Sequence, residues 1–241
     1  MITTGGPRSS ATRKTEIVDV ANGVTCSELA DFPLEIDSAV SANLDGTPVV
    51  CGGAFNYPQR SAKCYRFTNF AWEVFASMKA ERSNAAGVMY NKKLHIFGGW
   101  STSDSKLKTS ETIDVNGELI DGPDMPTSLA YHAMTMINDT VSILSGGVTN
   151  ASWTSAKTWY YNHDTGAFTS GPDLLEGRRG HGSATIVDKV TKAKIAVVTG
   201  GYGHDGILDS TEMLINGQWE TGTIQYRRQN VFICSSAIFL T

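Results

Sequence analysis

Five times along this chain an apolar, β-prone run ends in two glycines. The pairs are Gly5 and Gly6 after "MITT", Gly52 and Gly53 after "TPVVC", Gly98 and Gly99 after "KLHIF", Gly146 and Gly147 after "TVSILS", and Gly200 and Gly201 after "AKIAVVT", in steps of 47, 46, 48 and 54 residues. A single strand ending in glycine marks a turn, a bulge or a close backbone approach. Five at a near-constant period mark one supersecondary unit used repeatedly, and units of this length stack as solenoids or close as propellers.

The third unit shows the grammar best. "NAAGVMYN" (84–91) and "KLHIFGG" read as an inner hairpin, "WSTSDSKLKT" as a loop, and "SETIDV" with "ELIDGPDM" as an outer hairpin turning at Asn116 and Gly117. Asn-Gly between apolar runs favours a two-residue turn because both positions take positive φ; it recurs at Asn216 and Gly217, and at Asn22 and Gly23. Four short antiparallel strands cannot bury both faces alone, so the units must pack face to face around an axis. The glycine pairs are then expected where the next blade's backbone comes close.

The second unit carries further marks. After its diglycine come Tyr65 and Trp72, then Met78 and Arg82 ahead of the next inner strand. This resembles the kelch repeat. Tyr161 and Phe168 stand in for the aromatic pair in the fourth unit, Glu111 and Glu212 occupy the acidic position before the third strand, and Trp219 serves the last unit; the first and third units lack the pair. The resemblance covers nearly the whole chain and implies an all-β, kelch-type β-propeller of four-stranded antiparallel blades in a single domain spanning 1–241. The chain opens on a second strand and ends, in "RRQNVFICSSAIFLT", on a first strand, with Arg228 and Asn230 aligned to Arg82 and Asn84. Set beside "ITTGG", that strand would close five blades and leave no free edge. Kelch relatives more often have six, so the competing expectation is an incomplete six-bladed propeller.

Composition sets the partners that are excluded. A net charge of -4 provides no basic field for nucleic acid. The most apolar stretch, "VFICSSAIFL", is half the length a membrane-spanning helix requires. No charged n-region and apolar h-region opens the chain, which makes it cytoplasmic if complete and extracellular if a leader is missing and Cys51 is bridged to Cys64. Those two cysteines flank one loop between paired strands. They are read either as a disulfide or as two buried thiols; Cys26 and Cys234 complete the four.

Function is expected on the upper rim, where the long loops "AFNYPQRSAK", "WSTSDSKLKT", "VTNASWTSAK" and "YGHDGILD" meet the blade-to-blade connections. Arg82, Arg179 and Arg228 align in the connections, with Ala130 in place of arginine in the fourth blade; two residues on stand Asn84, His132, His181 and Asn230. An arginine ring can grip carboxylates bidentately, and the opposing reading makes each arginine a brace on backbone carbonyls. Tyr57, Trp100, Trp153 and Tyr202 suit interface anchors. His132 and His181 would have to converge to hold a metal such as the copper of galactose-oxidase-like kelch enzymes, but no cysteine-tyrosine arrangement accompanies them. "YNHDTGAF" is read as a loop around Asp164 and Gly166, and Asn138 and Asn150 stand in formal glycosylation sequons. No nucleophile, phosphate-loop or metal-spacing motif appears. The resemblance therefore implies a non-enzymatic module without cofactor, metal or catalytic residue, binding a protein partner such as an acidic peptide or loop. The alternative is a secreted kelch propeller that binds carbohydrate or is a degenerate galactose-oxidase-like enzyme.

Overall fold

Gly52, Gly98, Gly146 and Gly200 each directly follow the last residue of the second strand of an antiparallel sheet. The computed structural model describes residues 2–4, 13–19, 24–26, 29–103, 105–188 and 190–222. Strands β1 (Ile2–Thr4), β2 (Thr15–Asp19) and β3 (Val24–Cys26) form a three-stranded sheet. Four four-stranded sheets follow in sequential order: β4 (Val40–Leu44), β5 (Thr47–Cys51), β6 (Lys63–Thr68) and β7 (Ala71–Ser77); β8 (Ala86–Tyr90), β9 (Lys93–Phe97), β10 (Ser110–Ile113) and β11 (Leu119–Asp121); β12 (Ala133–Met136), β13 (Val141–Ser145), β14 (Thr158–Asn162) and β15 (Ala167–Ser170); β16 (Gly182–Val187), β17 (Lys194–Thr199), β18 (Thr211–Ile215) and β19 (Gln218–Gly222). The first strands β4, β8, β12 and β16 lie side by side. This is an all-β propeller of four-stranded antiparallel blades, as the repeat predicts. Gly5, Gly6, Arg228, Asn230, Cys234 and the expected closing strand lie outside the described residues.

Burial explains why the second strands are nearly continuous apolar runs. β5, β9 and β13 are flanked by neighbouring blades on both faces, so almost every side chain is covered. The core is accordingly divided into layers between blades. Val40, Leu44 and Val49 meet Ala85, Leu94 and Ile96 across one boundary, and Ala86, Val88 and Phe97 meet Leu129, Leu144 and Tyr161 across the next. Ile143 meets Ala196, Val198 and Trp219 across the third. Ahead of β4, Phe32 packs edge-on to Tyr65 and Trp72, while the Trp72 indole N–H donates to Thr15 Oγ1 at 2.9 Å, tying the second blade to β2.

The glycine pairs sit where blades crowd. A Cβ on Gly98 would stand 2.5 Å from the Leu129 carbonyl oxygen of the next blade, and one on Gly99 would stand 2.7 Å from Ser83 O in its own blade's lead-in. Crowding and the positive φ of both residues (61° and 100°) exclude any side chain. The close approach also makes a bond, since Gly99 N–H donates to Leu129 O at 2.8 Å, as Gly53 does to Arg82 O and Gly147 to Arg178 O. A second chain of backbone bonds runs from blade to blade nearer the axis: Asn84 N–H to Ser38 O, Tyr131 N–H to Asn84 O and Gly180 N–H to Tyr131 O.

One local expectation is corrected. Asn116 and Gly117 are not a two-residue turn, because Asp114 N–H bonds to Glu118 O and only Gly117 has positive φ. Asn216 and Gly217 do make one, and so do Asn69 and Phe70, with the Thr68–Ala71 pair closing the hairpin. Tyr65 lies on the third strand and Trp72 on the fourth, where Trp72 pairs with Phe67, as Phe168 pairs with Tyr161; a bulge at Cys64 and Tyr65 shifts the register.

Candidate functional site

The upper rim is built on short bridges that fix the start of each long loop. Ser83 pairs with Trp100 and Trp100 with Lys106; Arg179 pairs with Tyr202 and Tyr202 with Ile207. Each bridge holds the first residue after a diglycine against the lead-in of its own blade, so the aromatic ring emerges from anchored backbone. Lys106 Nζ lies 4.3 Å from the Trp100 ring centroid and donates to Asn150 Oδ1 at 3.3 Å. The Arg179 guanidinium lies 5.3 Å from the Trp153 ring and 5.6 Å from that of Tyr202. These are cation–π distances. Between the two groups lies a cleft of about 360 Å³, lined by residues 148–154 with Lys106 and His204. Trp153, 66% exposed, and Tyr57, 59% exposed, are the rim aromatics that face solvent most.

The diglycine hydrogen bonds set a register one residue away from the one read in the sequence. Because Gly53, Gly99 and Gly147 donate to Arg82, Leu129 and Arg178, the residue equivalent to Arg82 is Arg178, and Arg179 is equivalent to Ser83 and Ala130. The expected ring of Arg82 and Arg179 is therefore corrected. Arg82, 1% exposed, donates to Gly98 O (2.8 Å), Thr109 O (3.1 Å) and Glu111 Oε1 (2.5 Å). Arg178 repeats this with Gly200 O (2.9 Å), Ser210 O (3.3 Å) and Glu212 Oε1 (2.7 Å). Glu111 and Glu212 also accept backbone N–H groups of the preceding loop, from Lys79 and from Leu175 at 2.7 Å each. Both glutamates lie within the third strand rather than before it. Arg82 is a brace buried in its own blade, whereas Arg179 is half-exposed on the rim.

His132 and His181 are likewise not rim groups. Both are buried at the start of a first strand, equivalent to Ala85 rather than Asn84, and their rings fill the space left by the neighbouring diglycine: His132 Cε1 faces Gly98 and His181 Cε1 faces Gly146. Burial pushes the His132 imidazole down to about 3, with the Arg82 charge adding to the effect. Burial, then Arg178, hold His181 at about 3 as well, while its Nε2 bonds to Ser145 Oγ at 3.0 Å. Asn84 contributes its backbone to the chain of axial bonds at a φ of 53°. Among the described residues, no three His, Cys, Asp or Glu side chains are placed to hold a metal ion, and no helix is long and apolar enough to cross a membrane.

The structure thus groups Arg179 with Trp153 and Tyr202, and Trp100 with Lys106; Lys106 and His204 were not singled out in the sequence, and Asn150 stood there only as a sequon. Lys106 had a usable signal, since it stands six residues after Trp100 as Arg60 stands six after Ala54. Cys51 and Cys64 face each other across β5 and β6 with Cα atoms 4.0 Å apart and are joined as a disulfide.

No family model matches the chain, and no curated protein matches it. Among solved structures, that of YjhT superposes with a TM-score of 0.74 over 88% of this chain and 78% of its own, at 14% sequence identity. At that identity, the likeness is one of fold alone.

Proposed function

We propose that this chain is a kelch-type propeller that acts as a non-enzymatic interaction module, capturing an acidic peptide or loop on its upper rim. The observation that supports this reading is the paired aromatic–cation arrangement beside the cleft. Lys106 over Trp100, and Arg179 near both Trp153 and Tyr202, present two cations whose charged groups already lie within cation–π distance of rings. A carboxylate can be gripped by Arg179 while an adjacent apolar side chain lies on Trp153, the combination common in interface anchors.

The test uses a fluorescent peptide library with acidic, neutral and basic members, read by polarisation. Acidic peptides should bind, and added salt should weaken them. Arg179→Ala and Lys106→Ala should each weaken binding about tenfold with no change in thermal unfolding. Tight binding of neutral peptides that ignores both substitutions would overturn the proposal.

A further inference from the structure

Asn138 and Asn150 stand in the triplets Asn-Asp-Thr and Asn-Ala-Ser. Such triplets arise by chance in a chain of this length and alone they carry nothing; three features of the structure change their weight. Both asparagines are exposed, Asn138 in the turn between β12 and β13 and Asn150 in the rim loop after β13. In each, the amide oxygen is the engaged atom. Asn138 Oδ1 accepts the backbone N–H groups of Thr140 (2.9 Å) and Val141 (2.8 Å), and Asn150 Oδ1 accepts Lys106 Nζ (3.3 Å). These partners can only donate, so each must face the oxygen, and Nδ2 is left without a partner among the described residues. An attached sugar would therefore break no hydrogen bond of the fold.

The third feature is independent of both triplets. Cys51 and Cys64 form a buried disulfide, and disulfides persist in secreted and endoplasmic reticulum compartments, not in the reducing cytosol. Those compartments are where asparagine acceptors meet the oligosaccharide donor. We propose that this chain matures there and carries N-linked glycans on Asn138 and Asn150.

The transfer balances without an oxidant. Nδ2 attacks C1 of a lipid-linked oligosaccharide, the N–C1 bond forms, and the C1–O bond to the pyrophosphate breaks. The pyrophosphate carrier leaves with the electron pair, and the amide gives up one proton. Asn138 lies on the face opposite the rim, whereas a glycan on Asn150 grows from the lining of the cleft on its Lys106 side. The assignment does not depend on what the rim binds.

The experiment is peptide mapping of the chain immunopurified from its own cells, before and after N-glycosidase release in heavy-oxygen water. Both asparagines should be recovered as aspartate carrying the heavy isotope, and Cys51 and Cys64 peptides should stay joined until reduced. Unmodified asparagine at either position overturns the assignment there. Free thiols at Cys51 and Cys64 overturn the compartment and with it the whole proposal.

Discussion

Gly98 and Gly217 share a left-handed backbone and differ in everything around them. A Cβ on Gly98 would meet Leu129 O at 2.5 Å, whereas one on Gly217 would meet nothing within 4 Å. Alanine at Gly217 therefore incurs torsional strain alone, about 1 kcal/mol, while alanine at Gly98 adds a backbone clash and should cost about 3 kcal/mol or more. Urea unfolding of the two variants separates crowding from torsion, and equal losses would mean that the blades are not in tight contact there. Phe70 presents the reverse case. It holds φ at 60° in a two-residue turn with its side chain 79% exposed, so Phe70→Gly should raise stability by about 1 kcal/mol in the same measurement.

At the scale of elements, the lead-ins alternate between charged and apolar solutions of one problem. The register that equates Arg82 with Leu129 and Arg178 also equates Glu111 with Trp159 and Glu212. Where the arginine is missing, the glutamate is missing too. The reason is desolvation: removing one member of a buried pair leaves a charge without its partner and costs about 3–5 kcal/mol, whereas replacing both by packed apolar groups is nearly neutral. Glu111→Leu should accordingly destabilise by about 3 kcal/mol, and adding Arg82→Leu should restore much of that loss. Denaturation of the single and double variants is the measurement, and an additive double loss would overturn the coupling. The one-residue misalignment in the sequence reading has the same source. Arg178 and Arg179 are adjacent, and only the hydrogen-bond register shows which is buried.

At the scale of the whole molecule, the histidines packed between blades set a lower pH limit. Burial holds His132 and His181 at about 3 and His95 and His163 at about 4, all below the unfolded value near 6.5. Lys93 adds to the effect on His95, and His95 to that on His163. The unfolded chain therefore binds protons first as pH falls. The stability these neutral rings contribute is fully present above about 6.5 and is lost as pH falls toward 4 and then 3. For fully buried His132 and His181, the slope approaches about 1.4 kcal/mol per pH unit each. The urea midpoint should drop between pH 7 and pH 5, and the His132→Ala, His181→Ala double variant should show a shallower drop. An unchanged pH profile in that variant would remove the buried rings as its cause.

Periodicity, the diglycine endings and the placement of Cys51 opposite Cys64 were determined by the sequence itself, because glycine at a fixed step is required wherever blades converge and alternation of strand and turn is a local property. The long loops after each diglycine located the rim in the same way. What only the tertiary structure decided was which polar side chains face water. Arg82, His132 and His181 have the composition of binding residues and the surroundings of core residues, since groups distant in sequence bury them: Gly98 O, Thr109 O and Glu111 of its own blade for Arg82, and the vacant glycine faces of the neighbouring blade for the two histidines. The Arg179, Trp153 and Tyr202 group arises likewise from three loops that meet only once the blades are stacked.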